Sequence, residues 1–121
     1  MISIKIGEQK PYNFSVKNKN TGLPLSLVGA NIIFQLRERE AQIDNFLIDK
    51  NISEISDIND CGKITDAANG KFCIYFKTSD TINLNINKNY YFTIWHVFDG
   101  KKEVIRNISG SNATRNVWIF L

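Results

Sequence analysis

The chain has 121 residues, which suffices for one domain with a single core and is too short for two. Hydrophobic residues at 43% and charged residues at 22% exclude a disordered or fibrous chain. The net charge is only +3 and the basic residues are scattered, so we expect no nucleic-acid partner. The amino end lacks a secretion signal and no segment reaches the roughly 18 apolar residues of a membrane span. We therefore expect a protein made in a cytoplasm, with no membrane contact.

Alternation of apolar and polar residues with a period of two predicts β-strands in the first third of the chain. The pattern covers Ile2–Ile6, Tyr12–Val16 and Ala30–Arg37. In the last of these, the even-numbered residues from Ala30 to Leu36 share one face, a period that a helix does not sustain. Gly22 and Pro24 mark a turn ahead of this strand.

The stretch from about 38 to 61 is the least regular part of the sequence, because its isoleucines and leucines fit helical spacing and broken strands equally well. We interpret it as an irregular insertion whose structure stays open. Beyond it, renewed alternation predicts strands at Lys71–Lys77, Asn89–Phe98, Lys102–Ser109 and Val117–Leu121. Asn69-Gly70 forms a turn before the first of these, and Asp99-Gly100 joins the second and third as a hairpin.

Short strands separated by Gly, Asn and Asp turns predict an all-β fold, an immunoglobulin-like antiparallel β-sandwich that forms one domain over residues 1–121. The side chains expected in its core are Ile32, Phe34, Leu36, Phe72, Ile74, Phe76, Phe92 and Ile94. Leu84 precedes Tyr90 by six residues, a spacing that resembles the tyrosine corner of such sandwiches. We therefore expect the Tyr90 hydroxyl to bond to backbone between Leu84 and Asn87.

Residues suited to catalysis or metal binding are few. The single histidine, His96, and the two cysteines, Cys61 and Cys73, supply neither a zinc ligand set nor a disulfide framework. We expect both cysteines to be free thiols, and neither stands in a context typical of a catalytic Cys-His pair. The stretch Asp57–Gly62 approximates a calcium loop only loosely and is interpreted as a turn. No catalytic residue, metal ion or cofactor is predicted.

Aromatic residues are the remaining candidates for function. Tyr91 and Trp95 alternate with the inward residues of their strand and so predict an outward aromatic surface. Trp118 and Phe120 extend this candidate surface, because the last strand carries apolar residues on both faces. Packing against the protein's own loops is the alternative for all four side chains. A small sandwich also has open sheet edges, at which a second copy or another protein is expected to dock.

Several short motifs, in order along the chain, resemble immunoglobulin-like structural domains of bacteriophages, with the amino-terminal domain of baseplate upper proteins as the named family. They are the stretch Gly22–Arg37 with its Gly-Ala-Asn-Ile-Ile-Phe core, the stretch Ile64–Phe76 with Asp66-Ala67 and Gly70-Lys-Phe, and Ser79-Asp80-Thr81, Asn89–Phe92 and Asp99-Gly100. One departure is Lys88-Asn89, where the family usually has glycine before the corner tyrosine. Asn tolerates the same left-handed backbone.

This resemblance implies a virion component, made in the bacterial cytoplasm, that assembles through contacts with other phage structural proteins or with itself. It implies no reaction, no cofactor and no small-molecule substrate. Two other classes stay open. A carbohydrate-binding or adhesion module would stack sugars on Tyr91, Trp95 or Trp118, and a small enzyme would need a polar pocket around His96.

Overall fold

The computed structural model describes residues 2–18, 20–38, 46–86, 89–105, 108–110 and 116–120, of which 2, 3, 89, 108–110 and 116–120 are described as backbone only. The elements, in chain order, are β1 (Ile2–Lys5), β2 (Lys10–Val16), β3 (Asn31–Arg37), β4 (Ile48–Ile52), β5 (Gly62–Asp66), a 3₁₀ turn (Ala67–Asn69), β6 (Lys71–Phe76), α1 (Thr78–Thr81), β7 (Asn89–Phe98), β8 (Lys101–Val104), β9 (Ile108–Gly110) and β10 (Asn116–Phe120). None of the helices in these ranges is long and apolar enough to span a membrane.

The strands form two sheets, and the predicted all-β sandwich is confirmed. A six-stranded sheet has the order β1-β10-β7-β3-β4, with β8 pairing to the second half of β7. A four-stranded sheet has the order β5-β6-β2-β9. Every described pairing of strands is antiparallel except that of β1 with β10, which is parallel and sets Ile2 opposite Val117.

The inner faces of both sheets meet in one apolar core. All eight side chains predicted to be buried are at most 3% exposed. Phe34 joins the layers, because its ring packs edge-on against Phe76 of the other sheet at 5.4 Å and stacks on Phe92 of its own sheet at 5.6 Å. The period-two pattern therefore locates the core correctly in β3, β6 and β7.

Both predicted tight turns are confirmed, and each needs a left-handed backbone. Gly70 has φ +68°, and a Cβ there would lie 2.6 Å from the carbonyl oxygens of Val16 and Leu25. Asp99 and Gly100 have φ of 51° and 77°, the combination that a two-residue hairpin between twisted strands requires. Only a residue without a side chain fits at position 70.

The return arm predicted at Lys102–Ser109 is wrong as a single strand. The ladder with β7 ends where the Ile105 N–H donates to the Ile94 carbonyl at 2.8 Å. Beyond it, β9 pairs with β2 in the other sheet. The chain therefore belongs to one layer up to the buried Ile105 and to the other layer from Ile108.

The stretch from about 38 to 61, expected to be an irregular insertion, contains the regular strand β4. Its burial alternates, with Ile48, Lys50 and Ile52 on the inner face and Asp49 and Asn51 exposed. Residues 53–61 then form a compact turn that leads to β5, and residues 39–45 lie outside the described part of the chain. A lysine at an inward position breaks the apolar alternation, which is why the sequence does not reveal this strand.

Tyr90 is buried at the start of β7, and its hydroxyl oxygen accepts a hydrogen bond from the Asn85 N–H at 2.8 Å. This contact lies within the predicted stretch from Leu84 to Asn87. The tyrosine therefore ties the entrance of β7 to the segment that precedes it.

Candidate interaction face

The outer face of the six-stranded sheet carries a cluster centred on Trp95. Strand register places Trp95 between Ile33 of β3 and Val104 of β8, and Val97 beside Lys102. These residues face away from the core because they alternate with the buried residues of β3 and β7. We name this cluster, which consists of Ile33, Gln35, Trp95, Val97, Lys102 and Val104, the Trp95 face.

Two polar partners fix the indole of Trp95. Its Nε1–H donates to Gln35 Oε1 at 3.0 Å, and the Lys102 ammonium lies 4.6 Å from the ring centroid. The ring is half-buried, as are Ile33 and Val104 on either side of it. The arrangement gives a pre-oriented aromatic side chain with an apolar surround and a cation above it.

These contacts bear on what the face can bind. A sugar that stacks on the ring face beneath Lys102 must first displace the lysine from its cation–π contact. A protein partner that packs around the indole outside its contact with Lys102 has no such requirement, and aromatic side chains are enriched at protein interfaces.

Two of the four predicted surface residues, Tyr91 and Trp95, lie on the outer face of the six-stranded sheet. Tyr91 lies on the same outer face as Trp95, is half-buried, and stands opposite Arg37 and Asn116 in register. Thr93, between the two aromatics, is 9% exposed, so neighbouring side chains cover the middle of this face. The sequence correctly predicts that Tyr91 and Trp95 point away from the core.

Trp118 and Phe120 belong to β10, whose backbone is described but whose side chains lie outside the described ones. In register, Trp118 stands opposite Ser3 and Asn89, and Phe120 stands opposite Lys5. The backbone of β10 pairs with β1 from Val117 to Phe120 and with β7 from Asn116 to Trp118, so Val117 and Trp118 have a neighbouring strand on both sides. Whether a partner or the protein's own loops cover the side chains of Trp118 and Phe120 stays a prediction.

His96 is not joined to either cysteine by any hydrogen bond of the described residues. It lies near the end of β7, stacks on Phe98 at 6.4 Å, and its buried Nε2 has no hydrogen-bond partner in this part of the chain. Cys73 lies in β6 of the other sheet. The Cys61 Sγ lies 3.6 Å from the Asn51 carbonyl oxygen. The arrangement lacks the nucleophile and base contact that covalent catalysis requires.

Both cysteines are free thiols. Cys73 is 1% exposed, and burial raises the pKa of its thiol, with a smaller effect in the same direction from Cys61. A raised pKa keeps the thiol protonated near neutral pH, so Cys73 is a poor nucleophile.

A second polar cluster connects β4 to α1. The Lys50 ammonium, on the inner face of β4, lies 2.7 Å from Asp80 Oδ2 and donates to the Asp60 carbonyl at 3.3 Å. Asp80 Oδ2 also accepts the Lys77 N–H at 2.7 Å. Nearby, Lys77 Nζ pairs with Asp60 Oδ1 at 2.7 Å, and this bond lowers the pKa of Asp60 and raises that of Lys77. Each carboxylate faces an ammonium, as in a structural ion-pair cluster.

The stretch Asp57–Gly62 is a hydrogen-bonded turn in the structure. Asp57 Oδ1 accepts the Asn59 N–H at 2.9 Å, and the Asp57 carbonyl accepts the Asp60 and Cys61 N–H groups at 3.1 and 3.2 Å. Within the ranges that the structure describes, no three His, Cys, Asp or Glu side chains group in a way that holds a metal ion.

Sequence reasoning missed Gln35, Lys102 and Val104 as members of the Trp95 face. The alternation of β3 does place Gln35 on the outer side, but its partner Trp95 follows only from pairing β3 with β7. The positions of Lys102 and Val104 can be predicted from the hairpin. Once Asp99 and Gly100 are recognised as its two-residue turn, the register places Val104 opposite Trp95 and Lys102 opposite Val97.

Compared with known proteins, the chain matches no protein-family model, and no curated protein is significantly similar to it.

Proposed function

We propose that this chain is a non-enzymatic structural and docking protein of a bacteriophage tail or baseplate, built as an immunoglobulin-like domain. The observation that carries the proposal is the Trp95 face. An aromatic ring fixed by Gln35 and Lys102 loses little conformational freedom when it is covered. Tryptophan is also, with tyrosine and arginine, enriched among the residues that dominate binding energy at protein interfaces.

The strand order supports the immunoglobulin-like part of the proposal. The order β10-β7-β3-β4 corresponds to strands G-F-C-C′ of variable-type domains, and β5-β6-β2 corresponds to D-E-B. The contact of Tyr90 with Asn85 stands where the tyrosine corner stands in that fold. One difference is β9, which comes late in the chain yet pairs with β2 where the first strand of an immunoglobulin domain would lie.

The motifs of the phage resemblance coincide with elements that position the sheets. The Gly22–Arg37 motif ends in β3, and Asp99-Gly100 forms the turn after β7. Asp80 of the Ser-Asp-Thr motif pairs with Lys50 of β4 and so connects the two layers. These motifs support an architecture shared with the phage domains, because each of them forms a strand, a turn or a contact between the two layers.

The proposal is tested on phage particles induced from the source strain. We expect the chain to copurify with tails through a density gradient, in a fixed ratio to the other tail proteins, as measured by quantitative mass spectrometry. Abundant chain in the lysate with none in purified particles would overturn the proposed function.

A pair of variants then tests whether the Trp95 face makes the contact. Trp95→Ala should lower the incorporation of the chain into particles. Tyr75→Ala is the matched control, because Tyr75 is also half-buried but lies in β6 of the other sheet, opposite Pro11. Equal loss in both variants, or in neither, would remove the Trp95 face as the docking site.

A further inference from the structure

Two exposed charges of opposite sign flank the Trp95 face. Strands β4, β3, β7 and β8 lie side by side in that order along the second half of β7. The charged residues at outward positions of these four strands are Asp49, Arg37 and Lys102. Arg37 is half-buried at the far end of β3, opposite Tyr91. Asp49 and Lys102 are exposed and lie on the first and the last of the four strands, so the face has one acidic and one basic side.

Register gives the positions of these two charges relative to the apolar centre of the face. Three cross-strand pairs define the geometry: Asp49 with Gln35, Ile33 with Trp95, and Val97 with Lys102. Because β3 and β7 are antiparallel, the first and the third pair lie on opposite sides of the middle one, each two residues away along the strands. The midpoint of the line from Asp49 to Lys102 therefore falls between Ile33 and Trp95.

An arrangement of this kind is complementary to itself. A two-fold axis sets one position of a surface against a second position of the other copy, and the second against the first. Such an axis can lie in the plane of the face, between Ile33 and Trp95, perpendicular to the line from Asp49 to Lys102. It sets each of the two charges against the opposite charge of a second copy and brings the apolar centres together. Arg37 stays outside the overlap.

The packing angle that this axis imposes is one that β-sheets adopt. Asp49 and Lys102 are three strand spacings apart across the sheet and four residues apart along it, which is about 14 Å in each direction. The line between them therefore runs at about 45° to the strands, and the axis turns the strands of the second copy by about 90°. Orthogonal packing is one of the two arrangements in which sheets pack face to face. The positions of the charges and the packing of sheets thus agree.

The size of the face is appropriate for a weak dimer. Four strands cover roughly 19 Å across the sheet, and the seven residues of β3 cover roughly 24 Å along it. Two copies then contribute roughly 900 Å² in projection, close to the lower end of specific interfaces at about 1,200 Å² of accessible surface. An interface of this size is expected to form at micromolar concentrations and not as a permanent assembly.

We propose that the Trp95 face binds the Trp95 face of a second copy of this chain, around a two-fold axis between Ile33 and Trp95. Asp49 of each copy then faces Lys102 of the other. The inference rests on the proposed function in taking the Trp95 face as the docking site, and it names the partner at that site.

The first test measures the oligomeric state of the purified full chain. Sedimentation equilibrium from about 5 to 500 µM should show a reversible equilibrium between monomer and dimer. Trp95→Ala should weaken the dimer at least about tenfold, because it removes the aromatic side chain next to the axis. A chain that is monomeric at about 500 µM would overturn the inference.

Charge reversal tests the two-fold arrangement itself. Asp49→Lys sets like charges against each other at two places in the dimer and should weaken it at least about tenfold, as should Lys102→Asp. The double variant restores both opposite-charge contacts and should recover most of the association. Lys101→Asp is the matched control, because Lys101 is also exposed on β8 but lies on its other side, opposite Phe98. All these side chains are exposed, so the fold should be retained, which thermal melting verifies.

The outcomes separate this inference from the proposed function. A double variant as weak as the single ones, or equal weakening by Lys101→Asp, would overturn the two-fold arrangement. A monomeric chain that still copurifies with tails overturns the inference alone, and the Trp95 face then binds a different tail protein. A chain that dimerises as expected but is absent from particles overturns the proposed function alone.

Discussion

The two faces of the six-stranded sheet are formed by the same strands but differ in how completely their side chains are buried. On the inner side, Phe34 and Phe92 stack on each other in the core and are only 0% and 3% exposed. On the outer side of those strands, Trp95 keeps part of its surface and satisfies its N–H through Gln35. Alternation thus places one set of side chains in the core and the other on the outer face, where we propose that partners bind.

The largest expected effect is on the inner face. Phe34→Ala should lower the free energy of unfolding by about 3 to 5 kcal/mol, because the ring contacts aromatic residues of both sheets and leaves a cavity. Urea titration measures the change. Ile33→Ala, one residue away on the outer face and half-buried, is the comparison and should cost clearly less. Equal losses would contradict the division between the faces.

The next largest loss of stability is expected where the charged residue Lys50 lies on the inner face. Asp80→Ala leaves the Lys50 ammonium, whose side chain is 8% exposed, without its carboxylate. We expect a loss of about 2 to 3 kcal/mol, below the value for a completely buried pair because the Asp80 side chain retains 17% exposure.

Lys50→Met is the contrasting variant, since it removes the charge, keeps the apolar stem and leaves Asp80 bound to the Lys77 N–H. It should be less destabilising than Asp80→Ala in the same urea titration. The opposite order would mean that the Asp80 carboxylate left without Lys50 costs more than the Lys50 ammonium left without Asp80.

A smaller loss of stability is expected at Tyr90, a buried residue of the inner face whose hydroxyl bonds to the backbone. Tyr90→Phe keeps the ring and removes the oxygen that accepts the Asn85 N–H. Loss of one such bond should cost about 1 kcal/mol. Indistinguishable denaturation midpoints for the two proteins would show that the corner contributes nothing to stability.

The smallest effect lies on the outer face. Lys102→Ala removes an exposed cation–π contact with Trp95 and should cost about 0.5 kcal/mol. Because the indole then gains exposure to water, Trp fluorescence should shift to longer wavelength. An unchanged spectrum would indicate that the ammonium does not cover the ring in solution.

Alternation and turn chemistry predict the parts of the fold that depend on local sequence. The core positions of β3 and β7 and the hairpin at Asp99-Gly100 follow from period-two burial and from backbones that need positive φ. Tyr90 is predicted for a similar reason, since its partner Asn85 lies only five residues away.

Long-range pairing explains what the sequence does not reveal. Lys50 looks like a surface residue until Asp80, thirty residues later, is brought beside it. β9 is three residues long, too short for a period-two pattern to assign it to a sheet. The Trp95 face also depends on the pairing of β3 and β8 with β7. That pairing cannot be read from the sequence of any one strand.

The parallel pairing of β1 with β10 has a consequence for the order in which the protein is made. Ile2 meets Val117, so almost the whole described chain must leave the ribosome before β1 gains its neighbour. Until then the part of β7 that will receive β10 also stays unpaired, although both β1 and β7 have already been synthesised. Contacts this distant in sequence close slowly. During translation β1 and the start of β7 thus both stay unpaired, and chaperones that recognise exposed strand edges have that interval in which to bind.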